Sequence, residues 1–217
     1  MSIKKLEQLP DSARLAVTEI KLVNSSYDEQ LWQTYLNPLI DSLQDHSIEE
    51  IRTEPRILAT RKAYKNLGLD PSRYRPSSES LLRRVSKGNG LYQINTLVDF
   101  NNYLSLLLRF PVGSYDKAKI AEPIVYGVGR EGQYYDGIGK KSITINHFPV
   151  LIDQMGPFGS PISDSTKAMI SLETEHALLI VYCFDETEEG IEKMQTTIKG
   201  AIENMLPKAQ VIQQLIV

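Results

Sequence analysis

Residues 94–116 read INTLVDFNNYLSLLLRFPVGSYD, and they mark the change between the two halves of the chain. From Asn95 to Arg109, apolar side chains recur at the spacing of a helix, so this segment is predicted to form a helix at the centre of the core. After Phe110 the pattern changes to short runs typical of β-strands, divided by glycine and proline. The first half is therefore expected to be mainly helical and the second half mainly β.

The elements predicted on either side of this stretch fit the same division. Upstream we expect one strand at 15–23 and helices at 28–44, 55–67 and about 77–87. Downstream we expect strands at 124–128, 142–145, 150–152 and 176–184, then a helix at 187–205 and a strand at 209–216. Because no regular βαβ rhythm is present, the sequence predicts an α+β fold. We expect a single domain over residues 1–217, with N-terminal helices packed on a mainly antiparallel C-terminal sheet.

Composition points to an ordinary globular protein. The chain has 217 residues, of which 41% are apolar and 24% are charged, so it can bury a substantial core. The N-terminal residues carry two lysines but no long apolar run, which argues against a secretory signal. The longest apolar run, from Ala177 to Phe184, is far shorter than the roughly 20 residues that span a bilayer. The sequence therefore predicts a cytoplasmic protein that does not associate with a membrane.

Neither a metal site nor a cofactor site is expected. Cys183 is the only cysteine, and His46, His147 and His176 lie far apart in the sequence. This excludes a thiolate metal cluster and the short ligand spacings of a zinc site. Residues 127–132 match the letters G-x-G-x-x-G, but no helix is predicted to begin there. We interpret them as a turn, with residues 133–135 as the returning strand of a hairpin.

Positive charge is concentrated in one segment of an otherwise acidic chain. Between Arg52 and Lys87 there are ten Lys or Arg and three acidic residues, which gives this segment a net charge of +7. The net charge of the whole chain is −3, so the remaining residues carry −10. Such a segment can attract a polyanion to one face, whereas the alternative is an ordinary solvated helix surface. An aromatic ring beside cations suits looped or single-stranded RNA. The candidate RNA-binding residues are Arg61, Lys62, Arg73, Tyr74, Arg75, Arg83 and Arg84.

Two further segments place polar side chains in unusual surroundings. Asn101 and Asn102 lie within the apolar helix, where an unpaired amide costs about 1–3 kcal/mol, so they predict either a wet pocket or an internal hydrogen-bond network. Residues 153–166 form a Gly- and Pro-rich segment after a predicted strand. Its candidate ligand-binding residues are Asp153, Ser163, Asp164 and Thr166. The alternative for this segment is a turn in which serine and aspartate side chains cap the backbone.

Three stretches together resemble a known family. They are RKAYKNLGLDPSRYRPSSESLLRRV (61–85), INTLVDFNNYLSLLLRFPVGSYD (94–116) and PVLIDQMGPFGSPISDST (149–166). In this order they resemble the B3/B4 domain of the phenylalanyl-tRNA synthetase β subunit, and still more the free-standing B3/B4 proteins. The resemblance covers roughly residues 15–185.

The resemblance implies an α+β domain that removes tyrosine wrongly attached to the phenylalanine tRNA. By motif, Asn101 and Asn102 match polar positions of the bacterial editing pocket, and Asp164 and Thr166 match a pair that binds the tyrosine hydroxyl in archaeal-type domains. A histidine of the bacterial pocket is replaced here by Gly113. No catalytic residue is assigned from the sequence.

Three functions follow from these observations. The first is hydrolysis of a mischarged aminoacyl-tRNA in trans, with tRNA or aminoacyl-tRNA as the partner. The second keeps the tRNA or aminoacyl ligand but lacks the chemistry, which the glycine at position 113 favours. The third is a small-molecule or protein-interaction role for a repurposed pocket.

Overall fold

A computed structural model describes residues 1–139 and 141–217. In these ranges the strands are β1 Ile3–Lys5, β2 Ala13–Lys21, β3 Val112–Asp116, β4 Ile124–Val128, β5 Tyr134–Asp136, β6 Ser142–Thr144, β7 Pro149–Asp153, β8 Gly156–Gly159, β9 His176–Phe184 and β10 Gln210–Ile216. The helices are α1 Asn37–Leu43, α2 Ile48–Thr53, α3 Pro55–Asn66, α4 Ser77–Val85, α5 Thr96–Leu108 and α6 Glu188–Met205. A π-helical turn, Leu31–Leu36, leads directly into α1.

The central layer is an antiparallel sheet with the strand order β10-β2-β9-β3. Strands β2 and β9 are buried on both faces, and successive side chains point to opposite sides of the sheet. Ala16 and Ile20 pack with Phe100 of α5 in one apolar core. Leu15 and Val17 belong to a second core on the other face. Helix α5 therefore lies on one face of this sheet, while a second sheet and part of α3 lie against the other.

The second sheet has the order β1-β4-β7-β8, in which β1 is parallel to β4 and the remaining pairs are antiparallel. Strands β5 and β6 form a separate two-stranded ribbon. The predicted α+β class, with a mainly antiparallel sheet arrangement, is confirmed.

Helix α5 is buried and central, as the sequence predicts. Its N-terminus is capped by Asn95, whose side-chain oxygen accepts a hydrogen bond from the Val98 N–H at 3.1 Å. Leu97, Phe100 and Leu104 along the helix are fully buried. These buried side chains anchor α5 in the core.

Two sequence-based expectations need correction. Residues 127–132 do not lead into a returning hairpin strand, because β4 pairs with β7 whereas β5 pairs with β6. Residues 156–159 were expected to be part of a loop, but they form β8 at the edge of the second sheet. Their composition, Gly-Pro-Phe-Gly, is typical of a turn and hides the strand.

Two negative findings concern the described residues. None of the helices in those ranges combines the length and apolarity needed to cross a bilayer. Within the same ranges, no group of three or more His, Cys, Asp or Glu side chains is arranged so that it could hold a metal ion.

Candidate functional site

A cavity of about 430 Å³ opens between α4, α5, β3 and the loop that follows β8. We call it the Asp164 pocket. Its polar lining consists of Ser77, Ser80, Arg84, Asn101, Asn102, Ser114, Ser160, Ser163 and Asp164. Its apolar lining includes Leu81, Tyr92, Val98, Val112, Ile138, Ile162 and Ile170. Both the size and the mixture of an apolar wall with a few polar groups are typical of small-ligand sites.

The three polar residues in the middle of α5 have different surroundings. Asp99 belongs to an internal network, since it accepts hydrogen bonds from Trp32 Nε1 at 2.8 Å and from the Ile94 N–H at 3.0 Å. Asn101 and Asn102 both line the Asp164 pocket. The Asn101 Oδ1 is buried and has no hydrogen-bond partner in the described parts of the chain. An unpaired buried amide oxygen is costly, so its position suits a bound donor group.

Asp164 is held in the pocket wall by two donors to the same oxygen. Its Oδ1 accepts hydrogen bonds from the Tyr115 hydroxyl at 2.7 Å and from the Ser160 N–H at 3.0 Å. Its Oδ2 forms no hydrogen bond with a residue the structure describes, and Asp164 is part of the pocket lining. Burial raises the pKa of Asp164 to about 6, although the two donors act in the opposite direction.

The backbone of two strands makes room for the Tyr115 ring. A Cβ added at Gly113 in β3 would lie 2.6 Å from Tyr115 Cζ, and one added at Gly159 in β8 would lie 2.5 Å from the same atom. Both distances are impossible for real atoms, so the two glycines are required for the ring to sit between the sheets. The Tyr115 hydroxyl also lies 2.6 Å from the Tyr182 hydroxyl. The tyrosine that positions Asp164 is therefore rigidly packed.

Two of the predicted ligand-binding residues lie away from this pocket. Asp153 accepts hydrogen bonds from the backbone N–H groups of Ala121 at 2.9 Å and Met155 at 2.8 Å, and it pairs with Lys167. Although burial raises the pKa of Asp153, these partners outweigh burial and lower it overall. The Thr166 hydroxyl is exposed and donates to the Asp136 carbonyl at 3.3 Å. The structure thus brings Asn101, Asn102, Ser163 and Asp164 together but leaves Asp153 and Thr166 outside.

A second cavity, of about 370 Å³, adjoins the first. We call it the Tyr74 pocket, because Arg73, Tyr74 and Arg75 form one of its walls. The Arg73 guanidinium lies 5.1 Å from the centre of the Tyr74 ring, which also packs edge-on against Phe148 at 5.1 Å. The two pockets share the residues Ser80, Ile162 and Ser163. The two pockets therefore lie next to each other.

The other predicted RNA-binding residues lie outside the Tyr74 pocket. Arg61 and Arg83 donate to the buried carboxylate of Glu79 at 2.9 Å and 2.8 Å. Arg84 lines the Asp164 pocket, and its guanidinium lies 3.9 Å from the centre of the Tyr92 ring. Lys62 is exposed in α3 and borders a small cavity beside Ser12 and Asp185. The basic segment therefore divides between the pockets and other surfaces.

Sequence reasoning missed three residues that shape the pocket. They are Tyr115, Ser160 and Ser114, of which the last two line the cavity and the first binds Asp164. The signal that could have found Tyr115 is the pair Gly113 and Tyr115, two residues apart on the same face of a strand. A glycine beside a large aromatic residue indicates a ring packed over the backbone.

Comparison with known proteins places the chain in a family. A family model described as "B3/4 domain" matches residues 59–205. Among solved structures, an N-terminal fragment of the phenylalanyl-tRNA synthetase β-subunit from Pyrococcus horikoshii matches with a TM-score of 0.48 and 13% sequence identity, covering 100% of this chain and 54% of that one. This chain therefore spans about half of that fragment. A search of curated proteins found no match to this chain. Since the family model covers more than half of the sequence, the resemblance found in the sequence is confirmed, and the chain belongs to the B3/4 domain family.

Proposed function

We propose that this chain binds the aminoacylated end of a tRNA and hydrolyses the ester that joins the amino acid to the terminal ribose. The observation that carries the proposal is the pair of adjoining cavities. One is lined by amides, hydroxyls and a carboxylate, and the other by an aromatic ring and two arginines. An aminoacyl-nucleotide also has two adjacent parts, an amino acid for the first cavity and a nucleotide for the second.

The Asp164 pocket suits the aminoacyl part of this substrate. Its volume of about 430 Å³ accommodates an amino acid with a large side chain. Val98, Ile138 and Ile170 provide an apolar surface for the side chain, while the unpaired Asn101 Oδ1 can accept a hydrogen bond from the α-ammonium group. Asn102 and Ser114 are available to the ester and the ribose hydroxyls.

The Tyr74 pocket suits the terminal nucleotide. Tyr74 offers a face on which a base can stack, and base stacking on an aromatic ring is worth about 1–3 kcal/mol. Arg73 and Arg75 are exposed beside it and can bind the phosphates. Stacking beside cations is a common solution for unpaired RNA ends, which makes a tRNA acceptor end a suitable partner.

Family membership supports tRNA as that partner. The resemblance described from the sequence is to a domain that acts on tyrosine attached to the phenylalanine tRNA, so this ester is the first substrate to test. The resemblance pairs Thr166 with Asp164, but Thr166 lies outside the pocket. A tyrosine hydroxyl in the pocket would therefore have to be recognised without Thr166. We place the activity in the cytoplasm, as the sequence predicts.

A second candidate function is binding of the same ligand without hydrolysis. It is favoured by one observation, the crowding at Gly113, where the Tyr115 ring leaves no room for any side chain. Hydrolysis would then require another group to activate water. An aminoacyl ester is nonetheless an activated substrate, for which orientation and polarisation supply much of the rate.

The test is release of labelled amino acid from Tyr-tRNA(Phe), with Phe-tRNA(Phe) and a reaction without protein as controls. We expect release of tyrosine that depends on the protein, and we expect Asn101→Ala to reduce it strongly. A panel of other aminoacyl-tRNAs extends the test to other side chains. Tight binding with no release from any member of the panel would favour the binding function, and neither binding nor release would exclude both.

A further inference from the structure

We infer that Asp164 is the general base of the proposed hydrolysis and that Tyr115 is the residue that positions it. This inference rests on the proposed function, and it assigns the catalytic group that sequence analysis leaves unassigned. It also differs from the role that the resemblance implies for Asp164, which is to bind the side chain of the amino acid.

The geometry gives the two carboxylate oxygens different roles. Oδ1 is occupied, because it accepts hydrogen bonds from the Tyr115 hydroxyl at 2.7 Å and the Ser160 N–H at 3.0 Å. Oδ2 is hydrogen-bonded to none of the described residues, and Asp164 lines the pocket, so this oxygen is available to a bound water molecule. A general base needs this arrangement, since one oxygen fixes the orientation while the other receives the proton.

Tyr115 is fixed by its packing and not by its hydroxyl alone. Its ring lies between the backbones of Gly113 and Gly159 and packs edge-on against Phe158 with the ring centres 5.2 Å apart. Its hydroxyl is 2.6 Å from that of Tyr182 in β9, which extends the chain of hydroxyls into the core. The side chain is 1% exposed, so it cannot touch the substrate and acts through Asp164.

The electrostatic surroundings leave the carboxyl able to exchange a proton near neutral pH. Three tyrosines interact with it electrostatically, Tyr115 from β3, Tyr182 from β9 and Tyr135 from β5, and Arg84 from α4 lines the same pocket. Within the described ranges Asp164 forms no ion pair, and burial raises its pKa to about 6. Asp153 in the same segment differs, because its ion pair with Lys167 contributes to a lowered pKa and a weaker base.

The proposed step balances with water as the only co-reactant. The Asp164 carboxylate takes one proton from a water molecule as the water oxygen forms a bond to the ester carbonyl carbon. The bond between that carbon and the ribose oxygen then breaks, and the ribose oxygen takes the proton from the Asp164 carboxyl group. The products are the free amino acid and a tRNA with its terminal hydroxyl restored, and the carboxylate is regenerated.

The experiment measures the rate of ester hydrolysis against pH, using the aminoacyl-tRNA that the wild-type protein hydrolyses fastest. The wild-type rate should fall on the acid side with a midpoint near the pKa of Asp164, about 6. Asp164→Asn should lower the rate by about 10²–10⁴-fold, the usual contribution of a general base. Tyr115→Phe removes a donor to the charged form, so the midpoint should move to higher pH by about one pH unit.

Tyr135→Phe is the matched control for the loss of a buried tyrosine hydroxyl. Tyr135 donates to the Ser163 carbonyl and to Ser160 Oγ, and not to the Asp164 carboxylate. The hydrolysis rate of Tyr135→Phe should therefore have the same pH midpoint as that of the wild type. Carbon-13 NMR of aspartate-labelled protein gives an independent measurement, because the Asp164 signal, identified by its loss in Asp164→Asn, should titrate with the same midpoint and the same response to Tyr115→Phe.

The outcomes separate this inference from the function on which it rests. Hydrolysis that survives in Asp164→Asn within about threefold, or a midpoint that Tyr115→Phe leaves unmoved, overturns the role of Asp164 while the proposed function stands. Absence of hydrolysis by the wild-type protein across the whole panel overturns both. Loss of activity in Asp164→Asn together with a parallel shift of the kinetic and NMR midpoints supports the assignment.

Discussion

Two carboxylates, the buried Glu79 in α4 and the partly buried Asp164 in the loop after β8, have very different surroundings. The Glu79 side chain is completely buried and has Arg61 at 2.9 Å, Arg83 at 2.8 Å and Arg75 at 3.8 Å. Asp164 has a tyrosine hydroxyl and a backbone N–H, but no cation within ion-pair distance in the described parts of the chain. The first carboxylate is surrounded by compensating charge, and the second is left with a raised pKa.

On this difference we base the proposal that the Glu79 region serves stability and the Asp164 region serves chemistry. A buried carboxylate enclosed by arginines belongs to an ion-pair network, and its removal leaves the buried cations uncompensated. A partly buried carboxylate that has only neutral donors, as Asp164 has, can keep a raised pKa, which is a common property of catalytic carboxyl groups. The Glu79 cluster therefore holds together three arginines of the basic segment, and Asp164 is the residue to which we assign the proposed catalysis.

The largest expected effect comes from breaking the Glu79 cluster. In Glu79→Gln the guanidinium groups of Arg61 and Arg83 remain partly buried beside a neutral amide, so the free energy of unfolding should fall by about 3–5 kcal/mol. Urea denaturation followed by circular dichroism measures this change. The control is Glu49→Gln, which removes an exposed pair with Arg52 at 3.7 Å and should cost less than about 1 kcal/mol. Equal effects of the two substitutions would mean that Glu79 does not organise the segment.

Much of the fold could be predicted from the sequence, and the reason lies in its periodicity. Helix α5 and strand β9 are long and strongly patterned, and both were predicted within one residue of their observed ends. Strand β8 was missed because its glycines and proline resemble a turn, although here a glycine is needed for the Tyr115 ring. Local composition could not reveal a contact made by another strand.

The candidate site could be predicted only in part for a similar reason. Asn101 and Asn102 stand out because they interrupt an apolar helix, and Asp164 because it lies in a segment rich in hydroxyl groups. Tyr115 binds Asp164 from 49 positions away, so its role depends on how β3 and β8 are placed in two different sheets. Thr166 is two residues from Asp164, yet the short 3₁₀ turn at 166–168 directs it outward.

A second expected effect tests whether the Asp164 region depends on packing where the Glu79 region depends on charge. Gly113→Ala would place a methyl group against the Tyr115 ring, and overpacking of this kind costs about 1–3 kcal/mol. Thermal or urea unfolding measures the loss. Gly200→Ala in α6 is the matched control, since an added Cβ there meets nothing within 4 Å and should be neutral or slightly stabilising. If Gly113→Ala is equally neutral, Tyr115 is not confined as described.

A smaller effect concerns the pH dependence of stability, and its sign distinguishes Asp164 from Asp153. The pKa of Asp164 is about 6 in the folded protein and 3.8 in its unperturbed form, so the folded state binds the proton more tightly. Wild-type stability contributed by this group is therefore present below about pH 4 and is lost as pH rises toward 6. The amide side chain in Asp164→Asn does not titrate. Relative to wild type, the free energy of unfolding of this variant should therefore rise by about 1–2 kcal/mol between pH 4 and pH 8.

Urea denaturation of both proteins at pH 4, 6 and 8 measures this gain. The Asn side chain can still accept hydrogen bonds from Tyr115 and Ser160, so the comparison isolates the charge. Asp153→Asn serves as the control with the opposite sign, because the pKa of Asp153 is lowered in the folded protein and its loss should cost stability at pH 8. A difference between Asp164→Asn and wild type that does not change with pH would show that Asp164 titrates normally.

The smallest expected effect concerns Arg75, the most exposed of the three arginines around Glu79. Arg75 is exposed, lies 3.8 Å from Glu79 and also lines the Tyr74 pocket, so Arg75→Gln should leave the fold intact. If Arg75 binds a phosphate, the substitution should weaken tRNA binding about threefold and reduce the salt dependence by about one counterion. Lys199→Gln removes the same charge from the exposed surface of α6 and should change neither quantity beyond a small uniform loss. Filter binding at several salt concentrations separates these outcomes. Equal slopes for the two variants would mean that the charge of the chain as a whole, and not the Tyr74 pocket, attracts the RNA.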